Sequence, residues 1–170
     1  DFLGETVEVI PHVPEEVKRR IHESADGYDI CLIEVGGTVG DYQNMPFLFA
    51  LKSLENDIGK ENIVYILVSY MPVPSHIDEM KTKPTQLAIS LLRESGIQPD
   101  FIFCRGKRPL DNVRKKKIER YANIKSECVV SMPDVIGEGT PNTLYMIPLN
   151  LEKEGVGEKL LEALHLYRKK

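Results

Sequence analysis

Three glycines and two carboxylates fall within eight residues, Glu34-Val35-Gly36-Gly37-Thr38-Val39-Gly40-Asp41. They follow the apolar run Tyr28-Asp29-Ile30-Cys31-Leu32-Ile33. A carboxylate at the end of such a run suits Mg²⁺ in a nucleotide site, because that ion takes one or two carboxylates and further oxygens from phosphates. Glycines there let backbone come close to a ligand. The same residues equally describe a glycine-rich turn between strand and helix, with Glu34 incidental. No Gly-Lys-Ser/Thr follows, so the octapeptide is not a Walker-type phosphate loop.

A second constellation is Lys81-Thr82-Lys83-Pro84-Thr85-Gln86. Proline favours the first turn of a helix, and a helix start with two ammonium groups and free N–H groups can hold an anion. Thr85 and Gln86 add hydrogen-bonding groups in the same turn, so the set suits a polyphosphate. An exposed, charged helix entrance is the other reading. Between Arg105 and Arg120 the chain carries eight Lys/Arg residues against Asp111 and Glu119. Val113, Lys117 and Tyr121 recur every fourth residue, which puts them on one helical stripe. Lys117 and Tyr121 could grip a nucleotide's phosphate and base; alternatively Tyr121 is core and Lys117 snorkels past it. The histidines form no pair at metal spacing, and no Ser/His/Asp, Cys/His or nucleophile-elbow arrangement is found.

The elements that must position these groups follow from periodicity. Short strands are expected at residues 6–11, 28–33, 63–68, 101–104, 128–132 and 144–147. Helices are expected from Pro14 to Gly27, from Asn44 to Gly59 and from Lys81 to Gly96, the last with Leu87, Leu91 and Leu92 inward. Two more are expected from Asp111 to Asn123 and over residues 157–166. Residues 72–76 read as a proline-rich surface loop and 137–142 as a flexible insertion. Strands that are apolar throughout and alternate with helices imply an α/β fold, a parallel sheet with helices on both faces. In such sheets ligands bind at the carboxyl ends of strands, where the octapeptide, Arg105 and residues 131–135 would lie.

Bulk properties narrow the function. The 170 residues are 42% hydrophobic and 28% charged with a net charge of −4, which fits a globular domain and offers no basic field for nucleic acid. No apolar run reaches membrane-spanning length. The three cysteines lack Cys-x-x-Cys spacing; buried free thiols, and with them a reducing, cytoplasmic setting, are expected.

Across nearly its whole length the chain resembles the CTP synthases, in their amidoligase (synthetase) domain. The likeness is carried by Glu34 to Asp41 with Met45-Pro46-Phe47-Leu48, by the Lys81 to Gln86 hexapeptide, by Gly96-Ile97-Gln98-Pro99-Asp100, Cys104-Arg105 and Lys117-Ile118, and by Asp134-Val135, in matching order. The resemblance implies a P-loop NTPase-like (Rossmann-like) three-layer sandwich, with residues 1–170 as one partial domain. It implies conversion of UTP to CTP: ATP phosphorylates the uracil C4 oxygen, and ammonia from a glutaminase domain displaces phosphate. It implies Glu34 as a Mg²⁺ ligand and Asp41, Tyr42 and Gln43 in the region of pyrimidine nucleotide and feedback inhibitor CTP. Lys81, Thr82, Lys83, Pro84, Thr85 and Gln86, with Lys117 and Tyr121, would bind UTP or CTP, often across a tetramer interface. Arg105, Pro133, Asp134 and Val135 would border ATP.

Some residues depart from the family's pattern. Tyr42-Gln43-Asn44 stands where the family commonly has Ile-Glu-Ser, Pro133 where relatives often carry Lys, and residues 136–142 lengthen a loop. The family's opening phosphate loop and its glutaminase domain have no counterpart in these residues. The resemblance therefore reads as the C-terminal portion of a synthetase domain, inactive alone, with an exposed apolar sheet edge. Two other functions fit the same residues: a non-catalytic UTP/CTP-binding regulatory module and an oligomerisation domain.

Overall fold

The computed structural model describes residue 4, residues 6–134 and residues 151–166. Among the described residues three parallel strands form a sheet, β1 (Ile66–Tyr70), β2 (Phe101–Gly106) and β3 (Val129–Pro133), in the order β1-β2-β3. The register pairs Leu67 with Ile102 and Ile102 with Val129, so the apolar side chains of one face line up across all three strands. Two helices lie on that face, α3 (Lys83–Glu94) and α4 (Asn112–Ala122). Ile89 of α3 and Ile118 and Ala122 of α4 join Leu67, Ile102, Cys104 and Val129 in the main core. On the opposite face α5 (Val156–Ala163) brings Val156 and Leu160 onto Phe103, Val130 and Met132. The result is the expected α/β architecture, helices above and below a parallel sheet.

Two further helices stand beside the sheet, α1 (Val9–Ala25) and α2 (Met45–Ile58). Buried Leu48, Leu51 and Leu54 make the inward stripe of α2, Pro46 sits in its first turn, and Gly59 closes it with φ +87°. Lys18 ties α1 to α2 through Asp57 at 2.7 Å and Ser53 Oγ at 2.9 Å. α4 begins where the Asp111 carboxylate accepts the Arg114 N–H at 2.9 Å, and ends at Asn123 in the left-handed conformation.

Several expectations are corrected. Residues 6–8 form no strand, and α1 opens earlier than Pro14: Ile10, held extended ahead of Pro11, gives way at once to regular helix, with Pro14 buried inside it. Residues 28–33 form no buried strand. Tyr28, Ile30 and Ile33 are exposed and Leu32 is 94% exposed, because no strand among the described residues offers this run backbone partners. Cys31 and Cys128 are half-buried, and only Cys104 is fully buried; all three are free thiols. Of the three leucines expected inward on α3, Leu92 is buried, Leu91 is half-buried and Leu87 points outward; Thr85, Gln86 and Ile89 make up the rest of the buried face. The expected insertion at 137–142 and strand at 144–147 lie outside the described residues.

β1 is an outer strand in the order β1-β2-β3, and its face turned away from the main core exposes Ile66, Val68 and Tyr70. Among the described residues, no helix is long and apolar enough to cross a membrane.

The octapeptide is locked onto α3 at Gly40. Its φ is +99°, and a Cβ there would stand 2.7 Å from Leu91 Cδ1. Gly40→Ala should lower unfolding stability by about 1–3 kcal/mol in urea denaturation, from backbone strain and the clash. Gly36 has open space and no positive φ, so Gly36→Ala should stay within about 0.5 kcal/mol. Equal effects would refute this packing.

Candidate functional site

The carboxyl ends of the strands carry the charged groups. Arg105, on β2, pairs its guanidinium with Asp134 just beyond β3, at 2.7 Å. The backbone draws these ends together, with the Asp134 N–H donating to the Gly106 carbonyl and the Met71 N–H to the Arg105 carbonyl, both at 2.7 Å. Asp134 is only 21% exposed, whereas Arg105 is 58% exposed and presents its outer edge to solvent. Pro133 is the last residue of β3, in register with Gly106, and Val135 lies outside the described residues.

The hexapeptide divides into an inner and an outer half. Thr82, Thr85 and Gln86 are buried. Thr85 Oγ1 lies 2.8 Å from Ser69 Oγ of β1 and donates to Met71 Sδ at 3.0 Å. Gln86 Nε2 donates to Thr82 Oγ1 at 3.3 Å. These three side chains satisfy one another and the sheet, as buried polar groups must. Lys83 and Pro84 are exposed, and Lys83 has no ion pair among the described residues. Lys81 Nζ meets Glu79 Oε2 at 2.8 Å. Of the six side chains, the two lysines are the cations left at the surface, beside the N–H groups of the first turn of α3.

The basic stretch divides too. Arg105, Arg108 and Arg114 hold structure: Arg108 pairs with Asp78, and Arg114 reaches Glu79 at 2.8 Å and the Met80 carbonyl at 2.8 Å. Lys117 is exposed without an ion pair among the described residues. Tyr121 is not core; it is 40% exposed, its hydroxyl 2.6 Å from Ser90 Oγ of α3. Through Arg114 and Tyr121, the helix bearing Lys117 is fastened both to the loop that carries Lys81 and to α3, which begins at Lys83. Glu79 and Arg114 escaped the sequence reading. Only Glu79's position two residues before Lys81 hinted at a pair.

The octapeptide lies on another side. Glu34 lines a cleft of about 350 Å³ between α1 and α2, with Arg20, Val17, Ile21, Phe47 and Leu51 among its walls. None of Lys81, Lys83 and Lys117 borders that cleft. Glu34 is exposed and unpartnered among the described residues, and no group of three or more His, Cys, Asp or Glu gathers there. A single open carboxylate does not make an all-protein cage; it fits Mg²⁺ whose other oxygens come from phosphate and water. Asp41 is part of the turn itself, its carboxylate accepting the Thr38 N–H at 3.0 Å. Tyr42 is 90% exposed, and Gln43 is exposed beside it.

With this geometry in place, comparison with known proteins assigns the chain. Residues 1–166 match the family model described as the CTP synthase N-terminus. The chain is similar to the CTP synthase of Methanopyrus kandleri, 45% identical over 168 residues, and to that of Methanocaldococcus jannaschii, 42% identical over 166. It is 46% identical over 166 residues to the CTP synthase of Pyrococcus horikoshii. Each alignment takes in 98% of this chain, which spans 30% of the length of each relative. The narrower expectation of a C-terminal portion without its phosphate loop is replaced by assignment to the N-terminal region that the family model describes. On the match over residues 1–166, the chain belongs to the CTP synthase family, a family of ligases in pyrimidine biosynthesis.

Proposed function

We propose that these residues supply the nucleotide-binding face of an ATP-dependent, cytoplasmic CTP synthase. In the reaction, ATP transfers its γ-phosphoryl group to the C4 oxygen of UTP and leaves as ADP. Ammonia then adds at C4, and the C4–O bond breaks with release of phosphate, giving CTP. The ammonia comes from glutamine at a glutaminase domain of the same polypeptide, and the working form is a homo-oligomer, up to a tetramer.

Within this reading Lys81, Lys83 and Lys117 offset the charge of the UTP triphosphate, and Tyr121 flanks the nucleotide. Asp41, Tyr42 and Gln43 belong to the region that meets pyrimidine nucleotide, including CTP as feedback inhibitor. Arg105 and Asp134, with Pro133 and Val135, border ATP. Glu34 is the residue that would hold Mg²⁺, which when bound would supply positive charge to offset that of the phosphates. The phosphoryl step demands positioning and charge neutralisation more than covalent chemistry from the protein. Because Glu34 does not share a cleft with the lysines, the pocket is completed by parts beyond these residues or by neighbouring subunits.

The observation that supports this most is the divided hexapeptide. Thr82, Thr85 and Gln86 are turned inward while Lys83 is exposed at the start of α3 and has no ion pair among the described residues. In the full-length protein, Lys83→Ala should weaken UTP binding roughly tenfold in calorimetric titration, the scale of one charge-assisted contact, and leave thermal stability unchanged. Thr85→Val should instead cost about 1–3 kcal/mol of stability through Ser69 left unpaired. An unchanged UTP affinity in Lys83→Ala would leave only a charged helix entrance. Glu34→Gln should remove the Mg²⁺-dependent part of nucleotide binding while leaving the Mg²⁺-free part; equal loss of both would refute a metal role.

A further inference from the structure

Lys81 is not idle in the absence of nucleotide. Its ammonium lies 2.8 Å from Glu79 Oε2, while Glu79 Oε1 lies 2.8 Å from Arg114 Nη2. The two cations are held differently. Arg114 is anchored independently of Glu79, its Nε donating to the Met80 carbonyl at 2.8 Å and its Nη1 paired with Asp111. Lys81 has no side-chain partner but Glu79 among the described residues. Glu79 is half exposed, and Arg114 only 23% exposed. The two cations together hold the Glu79 carboxyl below the usual carboxylate range. It therefore stays charged at neutral pH.

We propose that Glu79 is a displaceable counter-anion. It sits on Lys81 where a phosphate oxygen would sit, and yields the lysine to an incoming polyphosphate while remaining on Arg114. The inference rests on the reading of Lys81 as a phosphate contact and adds a regulator to it. A carboxylate two residues away competes as an intramolecular ligand, with an effective concentration that no free small anion matches. Its presence sets a threshold: weakly charged anions do not displace it, and a triphosphate does. Arg114 makes the exchange possible, because Glu79 retains a partner when Lys81 leaves and is not stranded against the entering charge. Glu79 is thus a positioning residue, acting on the ligand through Lys81.

The test is a double-mutant cycle on UTP affinity in the full-length protein, by calorimetric titration at low salt. Glu79→Gln keeps the shape and a hydrogen bond to Arg114 but removes the competing charge. It should tighten UTP binding about two- to five-fold, the scale of an exposed ion pair. In a Lys81→Ala background the same change should do nothing. A purely structural role for Glu79 would weaken binding instead and lower thermal stability. Unchanged or weaker binding in Glu79→Gln, or an equal gain without Lys81, overturns the proposal. If Lys81→Ala alone leaves UTP affinity unchanged, the phosphate-contact reading beneath it fails, and the proposal with it.

Discussion

The seating of Thr85 governs the rest of this surface. It is completely buried, and its hydroxyl has two partners, Ser69 on β1 and Met71 just beyond. A threonine buried without partners would cost free energy, whereas a fully bonded one sets position closely. Once Thr85 faces the sheet, helical geometry forces Ile89 and Leu92 inward and leaves Lys83 and Leu87 outward. The orientation of the lysine at the mouth of α3 is therefore a consequence of one hydroxyl pair two residues away.

The same logic sorts the basic residues of α4 and the loop before it. In a purely solvated face, all would be interchangeable. Instead Arg108 and Arg114 reach back to the loop between β1 and α3, and Arg93 of α3 donates to the Tyr121 and Ala122 carbonyls. Arginine suits these roles because its planar fork can meet carbonyl and carboxylate together. The lysines, compact point charges on flexible stems, are left for solvent or ligand. α3 and α4 are thereby joined at both ends, so Lys81, Lys83, Lys117 and Tyr121 ride on one pinned unit.

Much of this was legible in the sequence, and the failures have physical causes. The three paired strands and α2 to α4 were found because apolar runs, Pro46, Pro84, Gly59, Gly96 and Asp111 mark their ends. On α3 leucine outranks threonine in any hydrophobic pattern, so Leu87 stands out ahead of Thr85, and only Ser69 across the gap makes Thr85 an inward residue. The run at 28–33 was misread because composition describes a buried strand but pairing requires a neighbour. The charge relay at Glu79 and Arg114 joins residues 35 apart, a contact that no local pattern encodes. The hexapeptide stood out by its two lysines and proline; that half of it is internal scaffolding could not be read from residue types.

The central claim is that the mouth of α3 and the pinned α4 beside it form one polyphosphate-binding unit. Hydrogen–deuterium exchange of the full-length protein, with and without UTP, tests it most directly. The account predicts added protection concentrated at residues 81–86 and 112–122, with β3 and α1 unchanged. Protection confined to other segments, or none on α3, would contradict it.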